Sequence, residues 1–259
     1  MKSLEKTLRA LRDDGRKVLV PYFVAGATPD WVRHVEAAVL AGADAIEIGI
    51  PFSDPMLDGV IIQEASMRAL HAGTTIDSIT ADLSTIATSV PLIAMTYYNL
   101  LLHYGLERVA GTLRASGMSG AILPDLTVEE SGPWRSAANE HDVSTIFLVA
   151  PSTPRERVAL VTSVSEGFCY ASSRMAVTGR ATDAGDAERV VAMVRERSDL
   201  PTYVGIGIST PDQARDAARV SDGVIVGSAL VRIILEGGGA REIEQFIGSL
   251  RAALDTSVG

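Results

Sequence analysis

With 259 residues, 47% of them hydrophobic, the chain is long enough to bury one large core. A formal charge of −9 and a pI near 5.0 argue against nucleic acid or an anionic membrane as a partner. Cys169 is the only cysteine, which excludes an internal disulfide and a cysteine-based metal cluster. Between Phe168 and Tyr170 it reads as an inert, buried strand position. No apolar run reaches about 18 residues, and Met1-Lys2-Ser3-Leu4-Glu5-Lys6 lacks an apolar signal core, so a soluble cytoplasmic protein is expected.

In chain order, Leu4, Leu8 and Leu11 place an apolar stripe on a short helix over 3–14. The first strand is 18–24. Thr28 and Pro29 read as a hydroxyl cap and a first helical position, opening a helix that runs to Ala41 and ends at Gly42. The second strand occupies the stretch before Pro51, and helical patterns fill 60–72 and 75–87. A third strand is expected at 92–96, a helix at 105–116 and a fourth strand at 120–123. Thr127-Val128-Glu129-Glu130 has the spacing of a capping box, and so does Thr153-Pro154-Arg155-Glu156, so helices are expected to start at both places. Between them, 145–149 reads as the fifth strand. The sixth is 167–171, followed by a long loop over 172–185 and a helix over 186–197. The seventh strand is 202–205, a capped helix opens at Thr210, the eighth strand is 223–226, and a last helix covers 240–254. Eight strands each followed by helix imply parallel strands with crossover helices. The fold expected is α/β: one (β/α)8 TIM barrel over 1–259 with an extra N-terminal helix, ahead of a doubly wound open sheet.

The chemistry concentrates in 45–63. Ile46, Ile48 and Ile50 alternate with Ala45, Glu47 and Gly49, which puts a glutamate on the face opposite the β-branched residues. A carboxylate in an apolar interior costs several kcal/mol, roughly, or takes up a proton. Asp58 follows eleven residues later, across a loop stiffened by Pro51 and Pro55. Two carboxylates in unlike environments can divide acid and base work. The plain alternatives are Glu47 as a core carboxylate paired with a Lys or Arg, which is the minor reading, and Asp58-Gly59 as an ordinary turn, which without a family match stands level with the functional one. In a barrel, the ends of the strands also gather Gly205-Ile206-Gly207-Ile208-Ser209 and Gly227-Ser228 at the two places where phosphate sites recur in this fold. His34, His71, His103 and His141 show no metal-ligand grouping and are expected at the surface, while Trp31 and Trp134 are expected to pack.

The stretch Glu47 to Gln63 resembles the signature of the tryptophan synthase alpha chain family. The resemblance extends in order through Met95-Thr96-Tyr97-Tyr98-Asn99, Leu123-Pro124-Asp125-Leu126 with Glu129-Glu130, Gly167-Phe168-Cys169-Tyr170, Val177-Thr178-Gly179, Gly205 to Ser209 and Gly227-Ser228-Ala229. It implies retro-aldol cleavage of indole-3-glycerol phosphate to indole and glyceraldehyde 3-phosphate, without a cofactor or metal. By the same resemblance Glu47 and Asp58 are catalytic. Tyr22, Met95, Leu148 and Tyr170 line an indole slot, Thr178 meets Asp58, and Gly179, Gly205, Gly207, Gly227 and Ser228 cradle the phosphate. Tyr97 and Asn99 support the catalytic loop, Asp54 braces it, and Asp125 is a contact residue beside the site. The family's partner is a pyridoxal-phosphate beta chain in an α2β2 complex. Alternatives are a stand-alone lyase that releases indole, a weakly active activator of a beta chain, and a different phosphate-binding barrel isomerase, against which the Pro51-to-Pro55 loop argues. The chain departs from the family pattern at Val24, at Ala27-Thr28-Pro29, and at Val60, Thr127 and Ala176, positions near the loops and the partner face.

Overall fold

The computed structural model describes residues 1–86, 88–172, 184–205 and 207–256, and along these residues strand and helix alternate. The first half runs α1 (Ser3–Asp13), β1 (Val18–Val24), α2 (Trp31–Leu40), β2 (Ile46–Gly49), α3 (Val60–His71), α4 (Ile76–Leu83), β3 (Leu92–Met95), α5 (Tyr98–Tyr104), α6 (Leu106–Ala115) and β4 (Met118–Ile122). The second half continues α7 (Gly132–Glu140), β5 (Ser144–Ile146), β6 (Leu148–Val149), α8 (Arg155–Val164), β7 (Cys169–Ser172) and α9 (Ala184–Arg195). It ends with β8 (Thr202–Gly205), α10 (Pro211–Val220), β9 (Gly223–Val226), α11 (Ser228–Leu235) and α12 (Ala240–Asp255).

All strand pairings are parallel, in the order β5-β4-β3-β2-β1-β9-β8-β7-β6. The two ends of that order, β5 and β6, are separated in the chain by Phe147 alone. They form one stave of the barrel, so the ring closes and the expected eightfold barrel is present. The stave is interrupted because the Phe147 N–H donates to Ser165 Oγ at 3.1 Å, while its carbonyl still accepts from the Tyr170 N–H at 3.1 Å.

Two apolar layers follow from the alternation along each strand. Ile46 and Ile48 face outward into the layer under the helices. Ala45 faces the lumen with Val18, Val20, Ile93, Ile122, Ile146, Phe168, Tyr203 and Ile225. Leu4 and Leu8 of α1 join that inner layer, so the extra helix plugs the barrel at the N-terminal ends of the strands. Glycines make the room: a Cβ on Gly120 or Gly167 would stand 2.6 or 2.9 Å from Leu4 Cδ2. With that end filled by α1, the mouth at the carboxyl ends of the strands is the place for chemistry.

Several helix starts differ from the sequence reading. α2 begins at Trp31, not at Pro29, and Thr28 Oγ1 instead lies 3.5 Å from Nδ1 of His34. That histidine is buried rather than at the surface, and burial lowers its pKa. The helix expected from Thr127 starts at Gly132, where Pro133 suits a first-turn position. The Thr127 hydroxyl, expected to cap with Glu130 as its partner, is instead bonded to Glu129, which Arg157 holds bidentate at 2.7 and 2.8 Å. Thr153 caps no helix either: its hydroxyl accepts from the Ala150 N–H at 3.0 Å, and Pro154 stands at the cap of α8. The capping box at Thr210 is present, with Gln213 as its partner. Helix α5, about two turns long after β3, was not foreseen. Trp31, Trp134 and Cys169 are buried as expected, and burial pushes the Cys169 thiol up to about 12.

Candidate active site

β1 and β2 pair with Tyr22 opposite Glu47, so both side chains point into the mouth of the barrel. Glu47 is 1% exposed, and its Oε2 has no hydrogen-bond partner among the described residues. Among those residues no Lys or Arg forms an ion pair with it, so the reading of Glu47 as half of a core salt bridge gains no support there. Burial, and then the charge of Asp58, raise its pKa to about 8. Near neutrality this group therefore holds a proton it can give up.

Asp58 lies in the loop between β2 and α3, at a half-buried position. Burial raises its pKa to about 6, and a hydrogen bond from Tyr97 works in the opposite direction. The Tyr97 hydroxyl also accepts from the Leu57 N–H at 3.0 Å, and its ring stacks on Phe52 with centroids 5.1 Å apart. Tyr97 thus supports the loop from below, as expected. Asp54 braces the same loop by accepting from the Ser53 hydroxyl at 2.6 Å.

Of the expected slot residues, Tyr22 and Tyr170 lie within electrostatic reach of both carboxylates. Met95 closes β3 opposite Gly49, and Leu148 pairs with Tyr170. Met95, Leu148 and Tyr170 are partly buried against the inner layer. Burial and the nearby charges of Glu47 and Asp58 push the Tyr22 and Tyr170 hydroxyls up, so both remain neutral donors.

Two glycines seat these tyrosines. A Cβ on Gly49 would run into the Tyr22 hydroxyl and stand 2.6 Å from its Cζ. A Cβ on Gly205 would likewise meet the Tyr170 hydroxyl, 2.7 Å from its Cζ. Each glycine lies two residues beyond its tyrosine's partner on the neighbouring strand. Gly49 was missed in the sequence; the available signal was a glycine closing a strand next to one that carries an inward tyrosine. Gly205 has this seating role whatever else it contacts.

At the other edge of the mouth, Gly207 has φ +70°, in the left-handed region that suits glycine. Gly227 caps α11 and Ser228 is its first residue. The first hydrogen bond of that helix runs from the Val231 N–H to the Gly227 carbonyl at 3.0 Å, so the amides of Ser228, Ala229 and Leu230 precede it without an acceptor inside the helix, as anion sites require. A Cβ on Gly227 would be 3.6 Å from Tyr22 Cδ1. The Tyr22 ring therefore stands between the amide-rich edge and the carboxylates. Thr178 and Gly179 lie outside the described residues. Among the described residues no group of three or more His, Cys, Asp or Glu side chains is placed to hold a metal.

A sequence model described as the tryptophan synthase alpha chain matches residues 8–255. The tryptophan synthase alpha chain of Streptomyces coelicolor is 43% identical over 238 residues, covering 90% of this chain and 88% of that one. That of Chloroflexus aurantiacus is 44% identical over 240 residues, with 89% of each chain covered. Among solved structures, a chain of Mycobacterium tuberculosis tryptophan synthase superposes with a TM-score of 0.91 at 38% identity, covering 98% of both chains. The alpha subunit from Legionella pneumophila gives 0.90 at 32% identity and 99% of both. A barrel plugged by α1, with two carboxylates in its mouth and matches over nearly its full length, belongs to the tryptophan synthase alpha chain family.

Proposed function

We propose that indole-3-glycerol phosphate lies across this mouth, its ring between Glu47 and Asp58 and its phosphate at the start of α11. As a member of its family the chain is a carbon–carbon lyase, which cleaves that substrate to indole and glyceraldehyde 3-phosphate. The observation that carries the residue assignment is the buried, unpartnered carboxyl of Glu47 beside Asp58. Glu47 gives its proton to indole C3. The positive charge that grows on the ring nitrogen is stabilised by ionised Asp58. The hydroxyl on the carbon attached to C3 then loses its proton to Glu47. A carbonyl forms there, and the carbon–carbon bond breaks with its electron pair returning to the ring. Glu47 ends as it began, so no external proton source or cofactor enters the balance. Tyr22, Met95, Leu148 and Tyr170 hold the ring, and Gly205, Gly207, Gly227 and Ser228, with Thr178 and Gly179, complete the enclosure and the phosphate cradle.

The family's partner is the tryptophan synthase beta chain. Met56 and Val60, each 71% exposed, with Leu57 and Leu102, leave apolar side chains on the loop and helices around the mouth, which supports a partner seated there in an α2β2 complex. The whole chain acts as one domain. No described helix is long and apolar enough to cross a membrane; a phosphorylated metabolite as substrate supports a cytoplasmic location.

The test is indole release from indole-3-glycerol phosphate with and without an added beta chain. Acceleration by the partner supports the subunit reading. A high rate unchanged by the partner marks a stand-alone lyase. Glu47→Gln abolishes turnover on the proposed mechanism; a variant that keeps its turnover removes Glu47 from the chemistry, and one that still activates a beta chain separates activation from catalysis.

A further inference from the structure

We propose that Asp125 is a positioning residue for Asp58, acting through the first turn of α5 and the Tyr97 hydroxyl. The inference rests on the assignment of Asp58 above. It begins where the chain leaves the barrel after β3. The Thr96 N–H donates to the Ile122 carbonyl at 3.2 Å, at the end of β4. Two residues on, the Tyr98 N–H donates to both carboxylate oxygens of Asp125, at 3.0 and 3.1 Å, three residues beyond β4. Tyr97 lies between these two tethers, with an extended backbone (φ −97°, ψ 144°) that turns its side chain away from α5. It is 4% exposed, so its ring has no room to swing.

From that fixed point the tyrosine reaches the catalytic loop three times. Its hydroxyl accepts the Leu57 N–H, it donates to the Asp58 carboxylate, and its ring stacks on Phe52. The end of β4 therefore sets the loop after β2, across the strand between them. Asp125 is exposed and does no packing of its own. What it contributes is a charge-assisted acceptor for a free amide at the start of α5, which is only seven residues long and too short to hold itself. Among the described residues the groups acting on the Asp58 neighbourhood are Glu47 from β2, Tyr22 from β1, Tyr170 from β7 and Tyr97, and Asp125 acts there on Tyr97.

The experiment measures kcat and KM for indole-3-glycerol phosphate against pH, with saturating beta chain, for Tyr97→Phe, Asp125→Ala, Asp125→Asn and the Tyr97→Phe/Asp125→Ala pair. Tyr97→Phe removes the donor to Asp58, so the acid limb of the profile moves to higher pH and kcat falls by roughly tenfold, with KM little changed. Asp125→Ala moves both in the same direction by less. Asp125→Asn, whose amide oxygen still accepts from Tyr98, restores most of the loss. The double variant equals Tyr97→Phe alone, because both changes act through one hydroxyl. Multiplying effects, or an Asp125→Ala profile with an unmoved acid limb, overturn the proposal. Asp58→Asn run alongside separates the two layers: an active Asp58→Asn sinks the assignment of Asp58, whereas an inactive one with a silent Asp125→Ala sinks only the role given to Asp125.

Discussion

Replacing Glu47 by Gln should destroy the activity and remove a loss of stability that wild type suffers as pH rises. The carboxyl is buried, its Oε2 has no partner among the described residues, and burial raises its pKa to about 8, against 4.5 for an ordinary glutamate. Between those values the folded chain holds a proton that the unfolded chain has released. Because the unfolded state then binds fewer protons, stability must fall as pH rises through this window. One pKa unit corresponds to about 1.36 kcal/mol. On that relation wild type loses about 3 kcal/mol between about pH 5 and about pH 7.5 that the glutamine variant does not lose. The absolute offset between the two proteins also contains the cost of burying an amide, so the informative quantity is the difference in pH dependence. Urea unfolding of both proteins across that range, followed by circular dichroism, measures it. A wild-type-minus-variant difference that stays flat from about pH 5 to about pH 7.5 would refute the claim that Glu47 sits neutral in the barrel mouth.

Other outcomes follow from the same geometry. The kcat/KM profile should be bell-shaped, rising as Asp58 ionises near 6 and falling as Glu47 loses its proton near 8; the two limbs belong to the pair, and a profile flat across neutrality contradicts the division of roles. Gly49→Ala should displace the Tyr22 hydroxyl and cut turnover by at least tenfold, roughly, while far-ultraviolet circular dichroism stays unchanged. Leu8→Ala leaves a hole in the inner layer beneath the site and should cost about 2–5 kcal/mol in urea unfolding; a negligible loss would mean that α1 does not plug the barrel.

The alternation of strand and helix, the inward placement of Glu47 and the burial of Cys169 were all legible in the chain, because each depends on local periodicity. A face of a strand is decided by parity, and Ala45, Glu47 and Gly49 share it with no help from distant residues. Asp58 was legible as a candidate, and its assignment came from resemblance rather than from spacing. The starts of α2, α7 and α8 were misread because a capping pattern names a hydroxyl and an acid without saying what else competes for them. The Thr127 hydroxyl was taken by Glu129, and the Thr153 hydroxyl by the Ala150 amide. His34 was read as a surface residue for a related reason, since nothing in its neighbours shows which side of α2 faces the sheet.

What the sequence determined by itself is the set of side chains that can face the mouth of the barrel, since parity and strand order require no long-range information. What only the tertiary structure decided is their state. Tyr22 and Tyr170 stand over glycines of neighbouring strands, and Glu47 is buried with its Oε2 unpartnered among the described residues. The Asp125–Tyr98 and Tyr97–Asp58 contacts join residues from three different strand ends. Charge and proton affinity depend on what surrounds a group within a few ångströms, and in a closed barrel those neighbours come from segments far apart in the chain.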